Sequence, residues 1–205
     1  GDLLSLSVTP NYLEQIGFID INQANKANED PIGLLMKKAL DGVVIVPWAI
    51  MLDKWRAALF SGKIDESNLN ESWWELREKY QGIAPPIDRP ENFFDPGAKY
   101  HIPANTPYTR YFLASIMQYQ FHEALCNAIN FDGPLHECSI YDSKKAGERV
   151  ISTMALGQSV PWQDAFEKLT GSRELSGKSI LNYYAPLKNW LDEQNQNRTC
   201  GWEKS

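Results

Sequence analysis

Residues 94–122 read FDPGAKYHIPANTPYTRYFLASIMQYQFH, and the rest of the chain is organised around them. Pro96, Gly97 and Pro103 surround Lys99 and His101, a composition that reads as an extended loop. Thr106-Pro107 then opens an apolar-periodic run, with the proline tolerated in the first turn of a helix. From Pro107 to Ile129 this run predicts a central helix, apolar on most of its faces. Tyr108 and Tyr111 are three apart and share a helix face, whereas Arg110 points elsewhere. An ammonium, an imidazole, two phenols and a guanidinium thus fall within residues 99–111, a set suited to chemistry on a peptide. Singly, each also reads as ordinary: a solvated lysine, a surface histidine, two core tyrosines.

Outward from this stretch the pattern is helical throughout, and the fold class it predicts is all-α. Gly1–Val8 (GDLLSLSV) starts apolar and without a capping residue, as a helix entered part-way along does. Thr9-Pro10 restarts the chain as a cap plus first-turn proline, and Gly17 closes that short helix. Residues 21–28 read as polar linker. Asp30-Pro31 opens a long helical pattern to Phe60, in which Pro47 is expected to kink or break the helix. The apolar residues around that proline (VVIVPWAIML) predict burial. Asn70–Tyr80 predicts a short helix with Trp73 and Arg77 on one face. Residues 83–96 read as an irregular, proline-rich crossing. Helices are further expected over 143–156, closed by Gly157, and over 161–170, closed by Gly171. The last runs over 177–184, breaks at Pro186 and resumes to Gln194.

The chain has 205 residues, enough for one domain with a real core. Its net charge of -6 leaves no basic excess to neutralise phosphates, which argues against nucleic acid as a partner. Its longest apolar candidate, Val43–Met51, falls well short of the roughly 18 residues a membrane span needs. No initiator methionine and no secretory segment are present. Sequons at Asn70 and Asn197 are candidate glycosylation sites if the chain is secreted. Cys126 and Cys138 bracket a turn-rich loop and read either as a local disulfide or as two buried thiols. Cys200 is left over in a polar tail. His122-Glu123 is not a zinc motif, because the second histidine that H-E-x-x-H requires is replaced by Cys126. His122 therefore reads as structural. The three histidines, His101, His122 and His136, form no closely spaced triad, so this chain is expected to hold no metal ligands.

The order FDPGAKYHIP, PYTRYF, QFHEALC resembles the C-terminal part of the angiotensin-converting enzyme family, zinc peptidyl-dipeptidases. The likeness, closer to the invertebrate members, continues in GPLHEC, SKKAGER, SVPWQDAFEKLTG and YYAPLKNWL. It reaches back through ESWWELREKYQGIAPP to GDLLSLSVTP. It implies a C-terminal portion of a large, mostly helical peptidase domain, 1–205, with the zinc ligands upstream of residue 1. It also implies an extracellular or secreted enzyme, modulated by chloride, that releases C-terminal dipeptides from oligopeptides with a free C-terminus. Zinc would polarise the scissile carbonyl and activate water.

By the same resemblance, Lys99 and Tyr108 bind the substrate's terminal carboxylate, and His101 and Tyr111 donate to the oxyanion, with His101 as proton donor. Trp73 and Arg77 belong to one chloride site and Arg110 to a second. Asp2 stands behind a zinc-ligating histidine, and Cys126 pairs with Cys138. Without the resemblance, Trp73 over Arg77 reads as a tryptophan packed on an arginine stem, and Asp2 as a solvated helix-terminal acid. Ile45 and Ser115 stand where the family commonly places aromatics that line the substrate pockets, so the resemblance carries over the general site but not the pocket's shape. Two rivals remain: a non-catalytic homologue acting as a binding or scaffolding protein, and a self-sufficient helical interaction domain. The uncapped start at Gly1 argues against the second.

Overall fold

The computed structural model describes residues 1–199 and 201, so Cys200 lies outside the described residues. All regular structure among them is helical: α1 Asp2–Leu6, α2 Pro10–Gln15, α3 Ile21–Asn28, α4 Pro31–Gly42, α5 Ile45–Phe60, α6 Leu69–Gln81, α7 Thr109–Ala128, α8 Lys144–Met154, α9 Trp162–Thr170, α10 Lys178–Tyr183 and α11 Ala185–Gln194. Short 3₁₀ turns occupy Asp95–Ala98 and Leu135–Glu137.

The helix ends follow local chemistry. Thr9 Oγ1 accepts from the Tyr12 amide at 3.1 Å, and Pro10 fills the first position of α2, where a missing N–H is harmless. Gly82 and Gly171 close α6 and α9 in left-handed conformation, at φ 65° and 81°. Two expectations are corrected. Residues 21–28 are not linker but α3, nucleated by a reciprocal capping box: Asp20 Oδ1 accepts from the Gln23 amide at 2.8 Å, and Gln23 Oε1 from the Asp20 amide at 2.9 Å. The long pattern from Pro31 to Phe60 breaks at Val43-Val44, ahead of the proline. Pro47 then sits in the first turn of α5, where its absent N–H costs no intrahelical bond.

The chain forms two compact units, with the divisions falling inside α4 and α7. The first comprises 1–39 and 116–194. Its cores gather Leu6, Leu35, Tyr119, Tyr183, Tyr184 and Leu187, and separately Leu125, Ala146 and Leu169. His122 is fully buried there and bonds the Leu135 carbonyl through Nε2 at 3.1 Å, a structural role. Cys126 and Cys138 are joined by a disulfide.

The second unit comprises 40–115 with 195–199 and 201 among the described residues. Its core is Ala49, Met51, Leu52, Trp55, Ile64, Trp73 and Tyr108, with α5 packed against α6. Trp55 is wholly buried, and its indole N–H reaches the Leu69 carbonyl and Ser72 Oγ, both at 3.2 Å. Burying a side chain of this kind contributes roughly 2–3 kcal/mol, provided its one donor is satisfied.

Candidate active site

The Lys99–Tyr111 segment lies in the second unit, and its shape follows from how its ends are tied. Upstream, Asp95 is the anchor. Its carboxylate accepts from Trp74 Nε1 at 2.7 Å, Asn70 Nδ2 at 3.0 Å and Arg89 Nε at 3.0 Å. Its own amide donates to Asn70 Oδ1 at 2.8 Å. Although partial burial opposes it, the Arg89 bonds with those from Trp74 and Asn70 hold the carboxyl down at about 2. The crossing also caps α6, because the Glu91 carboxylate accepts from the Asn70 and Glu71 amides at 2.8 and 2.7 Å.

From this anchor the 3₁₀ turn Asp95–Ala98 leads into tight turns over 99–105. The segment is more compact than an extended loop. The Ile102 amide bonds the Lys99 carbonyl at 2.8 Å, and the Thr106 amide bonds that of His101 at 3.0 Å. Asn105 takes the left-handed conformation, φ 48°, which asparagine tolerates.

Four of the expected residues converge. Lys99 Nζ lies 5.0 Å from the centre of the Tyr108 ring. The His101 ring meets Tyr108 edge to face at 4.7 Å and Tyr111 at 5.5 Å. His101 Nε2 is 3.3 Å from the Tyr111 hydroxyl, and the two tyrosine rings are 4.6 Å apart. Tyr108 is buried, and its hydroxyl accepts from Trp48 Nε1 at 3.2 Å, which leaves its own proton to donate. Burial first, then the charges of Lys99, Arg56 and Arg110, pull the His101 imidazole below its ordinary value, opposed by Asp53. The ring is therefore mainly neutral at neutral pH. Arg110 is exposed and acts on this group through its charge.

Trp73 is buried between Trp48 and Trp55, at ring distances of 5.6 and 5.8 Å. The Arg77 guanidinium lies over Trp48, 4.8 Å from the ring centre, and 5.9 Å from that of Trp74. Arg77 Nε is buried with no hydrogen-bond partner, and burial pulls the guanidinium below its ordinary value. A donor-only group of this kind suits an anion.

Ser115 is buried and turns its hydroxyl back onto the Tyr111 carbonyl at 2.7 Å. Asp2 is exposed in the first turn of α1, in the first unit. Asn197 is exposed, whereas Asn70 is fully buried with its amide committed to Arg89, Asp95 and the Asp95 backbone. A glycan on Asn70 Nδ2 has no room in this fold.

Among the described residues, one group of histidine, cysteine and acid side chains is close enough to share a metal ion: His122, Cys126 and Cys138. The disulfide removes both thiolates, so these residues do not fit zinc. Three site residues lay outside the reading of the sequence: Trp48, Asp53 and Arg56. Asp53 and Arg56, an acid and a base three apart on a mostly apolar helix, were the available signal. No helix is long and apolar enough to cross a membrane among the described residues.

Residues 1–202 match the family model described as angiotensin-converting enzyme. The chain is 45% identical to the angiotensin-converting enzyme of Mesocricetus auratus over 205 residues, 98% of this chain and 15% of that protein. It is 45% identical to that of Theromyzon tessulatum, covering 98% of this chain and 32% of the relative. It is 42% identical to the angiotensin-converting enzyme-like protein Ace3 of Mus musculus, covering 98% and 28%. The chain thus spans about a sixth of the length of the mammalian enzymes it matches.

Proposed function

Since the chain belongs to the angiotensin-converting enzyme family, a family of metallopeptidases, we propose that it supplies the substrate-holding half of a peptidyl-dipeptidase site. The observation that carries this reading is the convergence of Lys99, His101, Tyr108 and Tyr111 on one surface of the second unit. Every one of these groups can present a donor, and the substrate offers two anionic features: a terminal carboxylate and a developing oxyanion. The Lys99 ammonium and the free proton of the Tyr108 hydroxyl hold the carboxylate. That grip explains why dipeptides leave from the C-terminal end. His101 and Tyr111 donate to the oxyanion. Burial and the neighbouring cations disfavour the His101 imidazolium, and the ring donates to the oxyanion through an N–H. Zinc ligands would come from outside these residues.

Chloride would take the donor-rich positions, Arg77, which lies over Trp48 on the helix that carries Trp73, and Arg110 in the open. The unpartnered Arg77 Nε supports the first. The disulfide supports an oxidising, extracellular setting. Oligopeptides with a free C-terminus are the substrates.

Steady-state kinetics of the intact protein on an oligopeptide test the assignment. His101→Ala should lower kcat roughly 100- to 1,000-fold with little change in KM. Lys99→Ala should chiefly raise KM. Retention of more than about a tenth of the wild-type kcat in His101→Ala would remove His101 from the chemistry. Tight peptide binding without release of any dipeptide would favour a non-catalytic homologue.

A further inference from the structure

We propose that Asp53 and Arg56, on successive turns of α5, are positioning residues that set His101 and Tyr108 in register, Arg56 holding the His101 backbone and Asp53 the start of α7. The inference rests on the reading of this surface as a peptidase site, and its test is built to separate the two.

Arg56 is 7% exposed, which is unusual for an arginine and demands partners. It has two. Its Nε donates to Asp53 Oδ1 at 2.9 Å, with a second bond from Nη2 to the same oxygen. Its Nη1 donates to the carbonyl of His101 at 2.9 Å. The other oxygen of Asp53 faces the opposite way. Asp53 Oδ2 accepts from the Tyr108 amide at 2.8 Å, from the Thr109 amide and from Thr109 Oγ1 at 2.7 Å. These are first-turn amides of α7, which have no partner inside the helix. A carboxylate there also meets the positive end of the helix dipole. Partial burial opposes ionisation of Asp53, but the bonds from Thr109, Arg56 and Tyr108 outweigh it and hold the carboxyl below its usual range.

The consequence is geometric. His101 lies on turns and Tyr108 at a helix start, seven residues apart, with Pro103 and Pro107 between them. Local backbone bonds alone leave such a segment free to hinge. One rigid fork on a buried helix fixes both ends against the same support. An error of about 1 Å at a reacting group can lower rate by roughly 100-fold, so this support bears on turnover.

The test uses Arg56→Met, Arg56→Lys and Asp53→Asn in the intact protein. It combines kinetics, amide exchange and an NMR titration of the His101 ring. Arg56→Met removes one of the two donors on the His101 carbonyl, leaving the Thr106 amide, and should lower kcat about 10- to 100-fold with a smaller change in KM. Arg56→Lys, which keeps the charge and one bond but loses the fork, should recover part of that loss. Asp53→Asn places an amide N–H against the donors of Arg56. It should raise KM as well as lower kcat, because Tyr108 moves too. In that variant the Thr109 amide should exchange about tenfold faster or more.

The His101 titration gives opposite signs. The groups facing that ring are Lys99, Arg56 and Arg110, which disfavour its cation, and Asp53, which favours it. Arg56→Met should therefore raise its pKa and Asp53→Asn lower it further. If the intact protein releases no dipeptide at all, the proposed activity fails, while titration and exchange still decide the positioning. A melting point that falls in Arg56→Met while kcat, the His101 titration and KM stay at wild type would overturn the proposal.

Discussion

Replacing Asp95 with alanine should loosen the segment that delivers Lys99 and His101, and the size of the effect can be worked from the structure. Four hydrogen bonds end on this carboxylate, from Arg89 Nε and Nη2, Asn70 Nδ2 and Trp74 Nε1. Bonds to a charged group are worth roughly 1.5–3 kcal/mol each when taken singly. They do not add here, because four donors share two oxygens and Arg89, about a quarter exposed, can turn to water. Trp74 Nε1 would lose its acceptor, whereas the fully buried Asn70 Nδ2 keeps a second one in the Arg89 carbonyl. Breaking a well-buried ion pair costs about 3–5 kcal/mol, and partial exposure brings this to roughly 2–4 kcal/mol. Denaturant unfolding at neutral pH measures it.

The dependence on pH follows from the depressed acid. A carboxyl held down at about 2 in the folded state titrates at about 3.8 when unfolded. Its contribution is therefore complete above pH ~4 and is lost as pH falls toward 2. Across that window the gap between wild type and Asp95→Ala should close, by at most about 1.4 kcal/mol per pH unit. A gap that stays constant from pH 6 to about 2.5, or one below about 0.5 kcal/mol at neutral pH, would refute the reasoning.

Three further outcomes are expected. Cys126→Ser should destabilise the chain by about 3 kcal/mol or slightly less, as expected for a closed loop of this length, and peptide mapping without reduction should recover the Cys126–Cys138 pair. Trp48→Phe keeps an aromatic ring beside Arg77 but removes the indole N–H that reaches the Tyr108 hydroxyl, so KM should rise several-fold at nearly constant kcat; an unchanged KM would show that Trp48 does not orient the carboxylate grip. After secretion the Asn70 sequon should remain unmodified, since its amide nitrogen is buried on two acceptors; mass mapping after glycosidase treatment in heavy water would count against this if Asn70 were labelled in full.

Most of the helical framework was legible because its punctuation is local. Thr9-Pro10, Ser143 and Gly171 act within one turn of themselves, and each lies at an observed helix end. The misses have equally local causes. In residues 21–28 polarity outweighed the reciprocal Asp20–Gln23 cap. Pro47 drew the break to itself, although a proline three residues into a helix marks a beginning. Lys99, His101, Tyr108 and Tyr111 could be named from their order along the chain, yet their convergence could not. Asp53 reaches Tyr108 across 55 residues and Arg56 reaches His101 across 45, and no periodicity within a helix encodes such pairs. Asn70 shows the same limit in reverse, since a surface motif by sequence proves to be a core hydrogen-bonding group.

The second unit uses one device twice. Neither α6 nor α7 has its first amides capped by a preceding Ser, Thr, Asp or Asn side chain; each borrows a carboxylate from elsewhere, Glu91 for α6 and Asp53 for α7. A cap taken from the adjacent residue fixes only the helix end. A cap taken from another segment fixes the helix end to that segment, so it carries tertiary position as well as helix stability. Glu91 thereby ties the proline-rich crossing to α6, and Asp95 ties it again through Asn70 and Trp74. Asp53 ties α7 to α5, where Arg56 already holds the loop at His101. The segment carrying Lys99 and His101 thus leaves one carboxylate anchor and enters another. A run rich in proline and glycine, whose own backbone bonds are short-range turns, is tied to the rest of the unit by charged groups at both ends. The proposed grip on a peptide, with two donor pairs to place, would need directional support of this kind, which an apolar core does not supply, because hydrophobic contact is non-directional.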